Sequence, residues 1–310
     1  MKKFNLFLLT LLTISWAQAQ NKKMCITVDD LPTVTYGINE IEFKQNITQK
    51  LVDTFVKYNV PAIGYVNEVK LYNDGKLTDS DLGLLKYWLE NGMDLGNHTY
   101  SHPNYHQVGF DAFTKDILKG QKVLVELLPE YGKELKFFRH PYLRSGANQA
   151  QKDSLSQFLK THHYIEAPVT IDNADYLFAY AYSKAYKAKD QSLMRKIGTA
   201  YVQYMEEKLL YFEQSAQALF ERNINQILLC HASLLNAEYM DELLDCYQKH
   251  GYQFVSQEEV LKDPAYQSKE TRFGDWGISW LDRWALSQGK KADFFKNDPV
   301  TPSFIQEMNQ

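Results

Sequence analysis

The sequence predicts an α/β protein built as a parallel-stranded barrel, and three observations predict it. Short β-like runs alternate with amphipathic helical runs along most of the chain, the pattern of strands joined by helical crossovers. Residues able to do acid–base or metal chemistry fall repeatedly just after the strand-like runs, at the edge where such folds place their sites. No internal repeat or low-complexity linker divides the chain.

Taken in order, residues 24–28 (Met-Cys-Ile-Thr-Val) read as the first strand, closed by Asp29-Asp30 and by Leu31-Pro32, which cannot extend it. Residues 43–58 read as a helix with Ile47, Leu51, Phe55 and Tyr58 on one face. Residues 62–66 follow Pro61 as the next strand. Residues 79–91 form a helix with an aspartate cap and Gly92 as its stop. A short strand at 93–96 leads toward His98, a helix covers 111–128, and Phe137-Phe138 is again a strand. Residues 227–230 make a strand that ends on His231. A helix over 239–250 stops at Gly251, and 252–255 is the last strand.

Met1-Lys2-Lys3, an apolar stretch over 4–16 and the small-x-small run Ala17-Gln18-Ala19 have the layout of a secretory signal peptide cut after Ala19. The apolar run is short for a stable membrane span, so the mature chain is expected to be secreted or periplasmic. The remaining roughly 290 residues suffice for one large core. A net charge of −4 without a Lys/Arg block argues against a nucleic-acid partner. Cys25 and Cys230 fall in strand-like runs and read as small core residues rather than parts of a disulfide framework.

His98 and His102, four residues apart, are expected to project from one side of a helical turn and grip one metal ion. Thr99 stands where a thermolysin-like protease would need glutamate. Joined with the carboxylates Asp29-Asp30 at a strand end, two histidines and one carboxylate make a three-ligand set with positions open for water and substrate. That donor set points to metal-dependent hydrolysis.

Five short motifs in order resemble those of the polysaccharide deacetylases (carbohydrate esterase family four). They are Thr27-Val28-Asp29-Asp30-Leu31-Pro32, His98-Thr99-Tyr100-Ser101-His102-Pro103, Arg139-His140-Pro141-Tyr142, Asp172-Asn173-Ala174-Asp175-Tyr176 and Leu229-Cys230-His231. The resemblance spans about 24–255 and implies a distorted (β/α) barrel. It also implies that Asp30, His98 and His102 hold a divalent metal, most often Zn2+, that polarises the acetyl carbonyl and activates water. Asp29 would be the general base and His231 the acid that protonates the leaving amine. Arg139 and Asp175 would form a charge pair orienting Asp29. The Tyr142 backbone N–H would stabilise the oxyanion. Pro141 would fix that turn and, with Leu229 and Tyr176, line the substrate site, Leu229 receiving the acetyl methyl. The implied partner is an acetylated sugar or glycan.

The chain departs from the family pattern at Leu31, where glycine is usual, and at Tyr176, where tryptophan is usual. It also carries an insertion at about 176–225, rich in Ala, Tyr, Lys and Glu, that reads as two or three helices. That insertion either caps the groove or merely flanks the barrel. The expected organisation is a signal peptide over 1–19, a catalytic domain over 20–265 and a helical extension over 266–310. In the extension, Trp276, Trp280 and Trp284 have helical spacing and are expected to dock on the core. His106, His140, His162 and His163 are expected at the surface or behind the site, and Asn104 and Tyr105 in the wall of the metal loop. The expected activity is removal of acetyl groups from N-acetylated amino sugars. An O-acetyl esterase or another small-amide amidase could use the same metal site. A non-catalytic glycan-binding module would be expected to have lost Asp29, a ligand or His231.

Overall fold

Residues 22–310 are described by a computed structural model, and the expected signal peptide at 1–19 lies outside the described residues. In chain order the elements are β1 (Lys22–Val34), α1 (Ile41–Lys57), β2 (Ile63–Val66), a small hairpin of β3 (Tyr72–Asn73) and β4 (Lys76–Leu77), α2 (Asp79–Glu90) and β5 (Asp94–Asn97). Next come α3 (Tyr105–Lys119), α4 (Lys122–Leu127), β6 (Phe137–Phe138), α5 (Gln149–Thr161), β7 (Ile165–Glu166), α6 (Asp175–Lys187) and α7 (Gln191–Phe220). The chain ends with β8 (Gln226–Ser233), α8 (Leu234–Lys249), β9 (Tyr252–Phe254), α9 (Gln257–Val260), α10 (Trp280–Ser287), α11 (Ala292–Phe295) and α12 (Ser303–Met308).

Seven strands form one parallel sheet in the order β7-β6-β5-β2-β1-β8, with β9 also pairing β1. The sheet curls into a half-barrel clothed by helices, the distorted (β/α) barrel that the sequence predicts. β1 lies at its centre because its sequence is apolar on both faces, with Met24, Cys25, Ile26 and Val28 fully buried. Parallel pairing aligns the carboxyl ends of the strands, and the register sets Asp29 of β1 opposite His231 of β8.

β1 runs on past the point where the proline was expected to end it. Pro32 removes only its own N–H donor, so pairing is interrupted rather than stopped: the register shifts after Val28 and resumes at Leu31 with Val66 and at Val34 with Ser233. In a flat strand Asp29 and Asp30 would point to opposite faces. The irregularity, with Asp30 at φ 67°, lets both carboxylates reach the same side.

Other boundaries move for local reasons. The cap of α2 is Thr78, not an aspartate, and its hydroxyl donates to Asp81 Oδ2 at 2.8 Å. The helix expected over 111–128 starts earlier, because the Asn104 side chain accepts from the His106 N–H and caps α3. It also divides at Gly120. A Cβ there would lie 2.3 Å from the Thr99 carbonyl carbon, so the helix end packs directly on the backbone of the loop bearing both histidines. Gly120→Ala is therefore expected to lower thermal stability by about 1–3 kcal/mol and to weaken metal retention together, because backbone cannot yield as a side-chain tip can. Melting curves and metal content read both effects. α8 begins at Leu234 rather than 239, because Ser233 supplies the cap. Both α5 and β7 are additional to the expected elements.

The insertion forms two helices, α6 and α7, which pack on each other and on α8. In the extension only Trp280 and Trp284 are helical, and Trp276 precedes α10. Trp284 sits edge-on to both Phe220 and Tyr266 at 5.7 Å, so this part of the stripe docks on the core. Among the described residues no helix is long and apolar enough to cross a membrane.

Candidate active site

The strand ends bring together Asp30 from β1 with His98 and His102 from the loop after β5. Their ligand atoms all lie within 4.8 Å of one another. Asp30 Oδ1 is 3.6 Å from the Nε2 atoms of both histidines. The histidines do not sit on a helical turn as expected. Thr99 (φ 68°) and His102 (φ 57°) take left-handed backbone conformations, and a local network holds the loop. In it Asn97 Oδ1 accepts from the Thr99 N–H at 2.7 Å, Thr99 Oγ1 from the His102 N–H at 3.0 Å, and Asn67 Nδ2 donates to the His98 carbonyl at 2.6 Å.

The residues present fit a divalent metal. Asp30 Oδ1 is buried without a hydrogen-bond partner among the described residues, and its 3.6 Å separations are too long for hydrogen bonds to the imidazoles. His98 Nδ1 lies 2.8 Å from the Arg139 carbonyl, which can only accept, so the Nδ1 proton points there and the Nε2 lone pair points at the cluster. Burial pushes both imidazoles below the usual histidine range, keeping them neutral and able to coordinate. Burial works to raise Asp30, but the Lys70 ammonium and the His231 imidazolium pull against it, and the carboxyl is held well below the usual range. Lys70 had no place in the motifs, yet its Nζ donates to the Asp30 carbonyl at 2.7 Å.

Asp29 stands beside the cluster, its Oδ2 3.8 Å from both His98 Nε2 and Arg139 Nη1. Burial raises its carboxyl to about 6, against the pull of Arg139 and His231. Arg139 is fully buried, stacked over Tyr65 at 4.7 Å and donating to Thr27 Oγ1 at 2.8 Å.

The expected Arg139–Asp175 pair is not formed. Asp175 instead holds His231: its Oδ1 is 2.7 Å from His231 Nδ1, and its Oδ2 accepts from the His231 N–H and from Asn236 Nδ2, each at 2.8 Å. The physical reason is placement, since Asp175 opens α6 against β8 while Arg139 points at β1. Burial alone would lower the His231 imidazolium, but the Asp175 carboxylate overrides it and raises the group to about 9. Asp172 serves as the local turn cap, its Oδ1 accepting from the Asn173 N–H at 2.8 Å.

Tyr142 takes a left-handed backbone (φ 57°) and packs its ring edge-on to His102, centroids 4.5 Å apart. The C-terminal extension braces this turn: a Cβ on Gly277 would fall 1.7 Å from the Tyr142 carbonyl oxygen, and buried Arg283 donates to the Leu143 carbonyl and to Ser145 Oγ. Leu229, Tyr142 and Tyr176 line a cavity of about 1130 Å³ together with Asp29, Asp30, His98, His102 and His231. Pro141 is buried and does not line it, although His140 and Tyr142 on either side do, so its place is in the turn rather than the substrate wall. His140 is fully buried against Glu166 at 2.7 Å, and His106 is held by Asp275, whereas His162 and His163 are exposed. Asn104 reaches the cavity, while Tyr105 is core. A second possible metal group, Glu206, Cys246 and His250, lies off the cavity between α7 and the end of α8, with His250 and Glu206 already hydrogen-bonded at 2.7 Å.

Residues 17–158 match the sequence model of the polysaccharide deacetylase family. Over 137 residues the chain is 28% identical to a peptidoglycan-N-acetylglucosamine deacetylase of Bacillus cereus; the match covers 44% of this chain and 42% of that relative, less than half of its length. Among solved structures, a mutant CE4 family pseudoenzyme with restored activity, of Bacillus anthracis, superposes with a TM-score of 0.50 at 15% identity, covering 78% of this chain and 68% of the other. The CE4 domain of a multidomain xylanase from the hindgut metagenome of Trinervitermes trinervoides gives 0.50 at 16% identity, covering 78% and 91%. These likenesses show the fold.

Proposed function

We propose that this chain, whose residues 17–158 match the polysaccharide deacetylase family, is an exported, metal-dependent hydrolase that removes acetyl groups from N-acetylated amino sugars or their glycans. One observation carries the reading: Asp29, and His231 held by the Asp175 carboxylate, line one cavity with the three-ligand group Asp30, His98 and His102. A non-catalytic glycan-binding module would be expected to lack one of these groups, and all of them are present.

In the proposed reaction a bound divalent metal, Zn2+ for a donor set of two imidazoles and one carboxylate, supplies Lewis-acid polarisation of the acetyl carbonyl and activation of water. Asp29 takes the proton from the attacking water, and its buried carboxylate, with no partner on Oδ1 among the described residues, is free to do so. Arg139 fixes the orientation of Asp29 through charge at 3.8 Å. The Tyr142 N–H stabilises the negative oxygen as the carbon becomes tetrahedral. His231, held by Asp175, gives its proton to the nitrogen as the C–N bond breaks, leaving a free amine and acetate. Leu229 receives the acetyl methyl, and Tyr176 offers an aromatic face to the sugar.

Acetate release from N-acetylglucosamine oligomers, peptidoglycan fragments and an acetyl-xylan, with metal-reconstituted protein, tests this reading. Release from the amino sugars supports it; release from xylan alone moves the assignment to an O-acetyl esterase. The acid role has its own test in the pH profile of kcat/KM. His231 must be protonated, so activity is present below about 9 and lost above it. Asp175→Asn removes the charge that opposes burial, and the alkaline limb is expected to fall by at least about one pH unit. An unmoved limb would show that the titrating acid is another group.

A further inference from the structure

The cavity that holds the proposed catalytic groups has a wall that, apart from Asp172, no family motif supplies. Tyr204 and Lys208 of α7 line it, and so do Asp298, Pro299, Val300, Thr301 and Gln306 from the stretch running into α12. This stretch is firmly tied to the helical insertion. Lys208 is 5% exposed and pairs with Asp298, Asn309 Nδ2 donates to the Leu177 carbonyl at 3.0 Å, and Ile305 is fully buried. Lys184 also donates to the Met308 carbonyl, and Gln306 Nε2 donates to the Thr301 carbonyl at 2.7 Å. The insertion and the extension therefore act as one unit at the mouth of the site.

The chemistry of that wall is suited to sugar hydroxyls. The Asp172 and Asp298 carboxylates accept hydrogen bonds, the Lys208 ammonium and the Thr301 hydroxyl donate them, and such acceptor–donor neighbours match adjacent hydroxyl groups on a ring. Tyr176, half exposed, lines the same cavity, its ring 6.4 Å from His231 in an edge-on arrangement, and offers an aromatic face for C–H stacking. The terminal unit of a chain carries one free hydroxyl more than an interior unit, so a wall of hydrogen-bonding groups holds an end better than a middle.

We propose that the α7 and C-terminal residues Lys208, Asp298 and Thr301, with Asp172, form a subsite for the terminal sugar unit of the substrate, which selects short acetylated amino-sugar chains and places the reaction at or next to a chain end. This rests on the deacetylase reading above.

The test measures acetate release from N-acetylglucosamine oligomers of one to six units and from a long polymer, with mass-spectrometric mapping of the freed amine. The intact enzyme is expected to favour short chains, with no gain in kcat/KM beyond three units and the free amine near one end. Asp298→Asn and Thr301→Ala, checked by melting curves for intact folding, are expected to raise KM for short chains at least fivefold while kcat changes less than twofold. Rates that climb with length, amines scattered along the interior, or unchanged KM in both folded variants would overturn the subsite and leave the deacetylase reading standing. No acetate from any amino sugar would overturn both.

Discussion

Asp29→Asn is expected to lower acetate release by about 10²–10⁴-fold, the contribution of a positioned general base, while leaving metal content and melting temperature near those of the parent. Asparagine matches the volume of aspartate at a site only 2% exposed, so packing survives. What is lost is basicity. The carboxyl of Asp29 sits at about 6 because burial outweighs the attraction of Arg139, so it is ionised, yet still basic, just above that pH. The sign follows directly: activity that needs the ionised form is present above about 6 and fades as pH falls through it, and the asparagine variant has no such acidic limb. Because Asp30, not Asp29, shares the metal group with the histidines, bound metal is expected to stay. A variant that lost metal and activity together would instead make Asp29 a ligand, and one that kept activity within tenfold would require another base.

The identities of these groups were legible in the sequence because each belongs to a short motif at the end of a strand. Their arrangement was only partly so. The β1–β8 register that sets Asp29 opposite His231 follows from parallel strands, which the alternating pattern implied. Which carboxylate serves Arg139 and which serves His231 is decided by where α6 docks, and no spacing within the sequence encodes that. The histidine loop misled in the same way: a four-residue separation suits a helix, but the Thr99 and His102 conformations are stabilised by Asn97 and Thr99 side chains whose bonds spacing does not announce. Lys70 and Asn236 sit in no motif and act only through tertiary contact. β7 has no signal in the sequence because two paired residues leave no periodicity, whereas α5 carries a readable one in its Asn148 cap. The wall at 298–306 is more than a hundred residues from every motif except the last, and only its docking on α7 connects it to the site.

Chelation is expected to abolish acetate release in the wild-type protein, with full recovery on stoichiometric Zn2+, whereas His98→Ala recovers little at that ratio. Zn–N distances of about 2.0–2.1 Å place tetrahedral donors roughly 3.3–3.5 Å apart. Asp30 Oδ1 is 3.6 Å from each Nε2, so small side-chain shifts suffice for coordination. Without a metal, Asp30 Oδ1 is buried with no hydrogen-bond partner among the described residues and faces two imidazoles that burial keeps neutral, while Lys70 lies by the other oxygen, 3.7 Å from Oδ2. His98 is the sharper position to change because it does two things. Its Nε2 faces the metal group, and its Nδ1 proton satisfies the Arg139 carbonyl, so alanine removes a ligand and leaves a buried acceptor unpaired. Counting metal in the wild-type chain alone would be ambiguous, since Glu206, Cys246 and His250 also lie within reach of one ion. The count therefore belongs in a Cys246→Ser background, where one equivalent is expected with His98 present and far less than one with His98→Ala. Metal-free protein that released acetate at the wild-type rate would remove metal dependence from the proposed function, because Asp29 and His231 would then be sufficient without a metal.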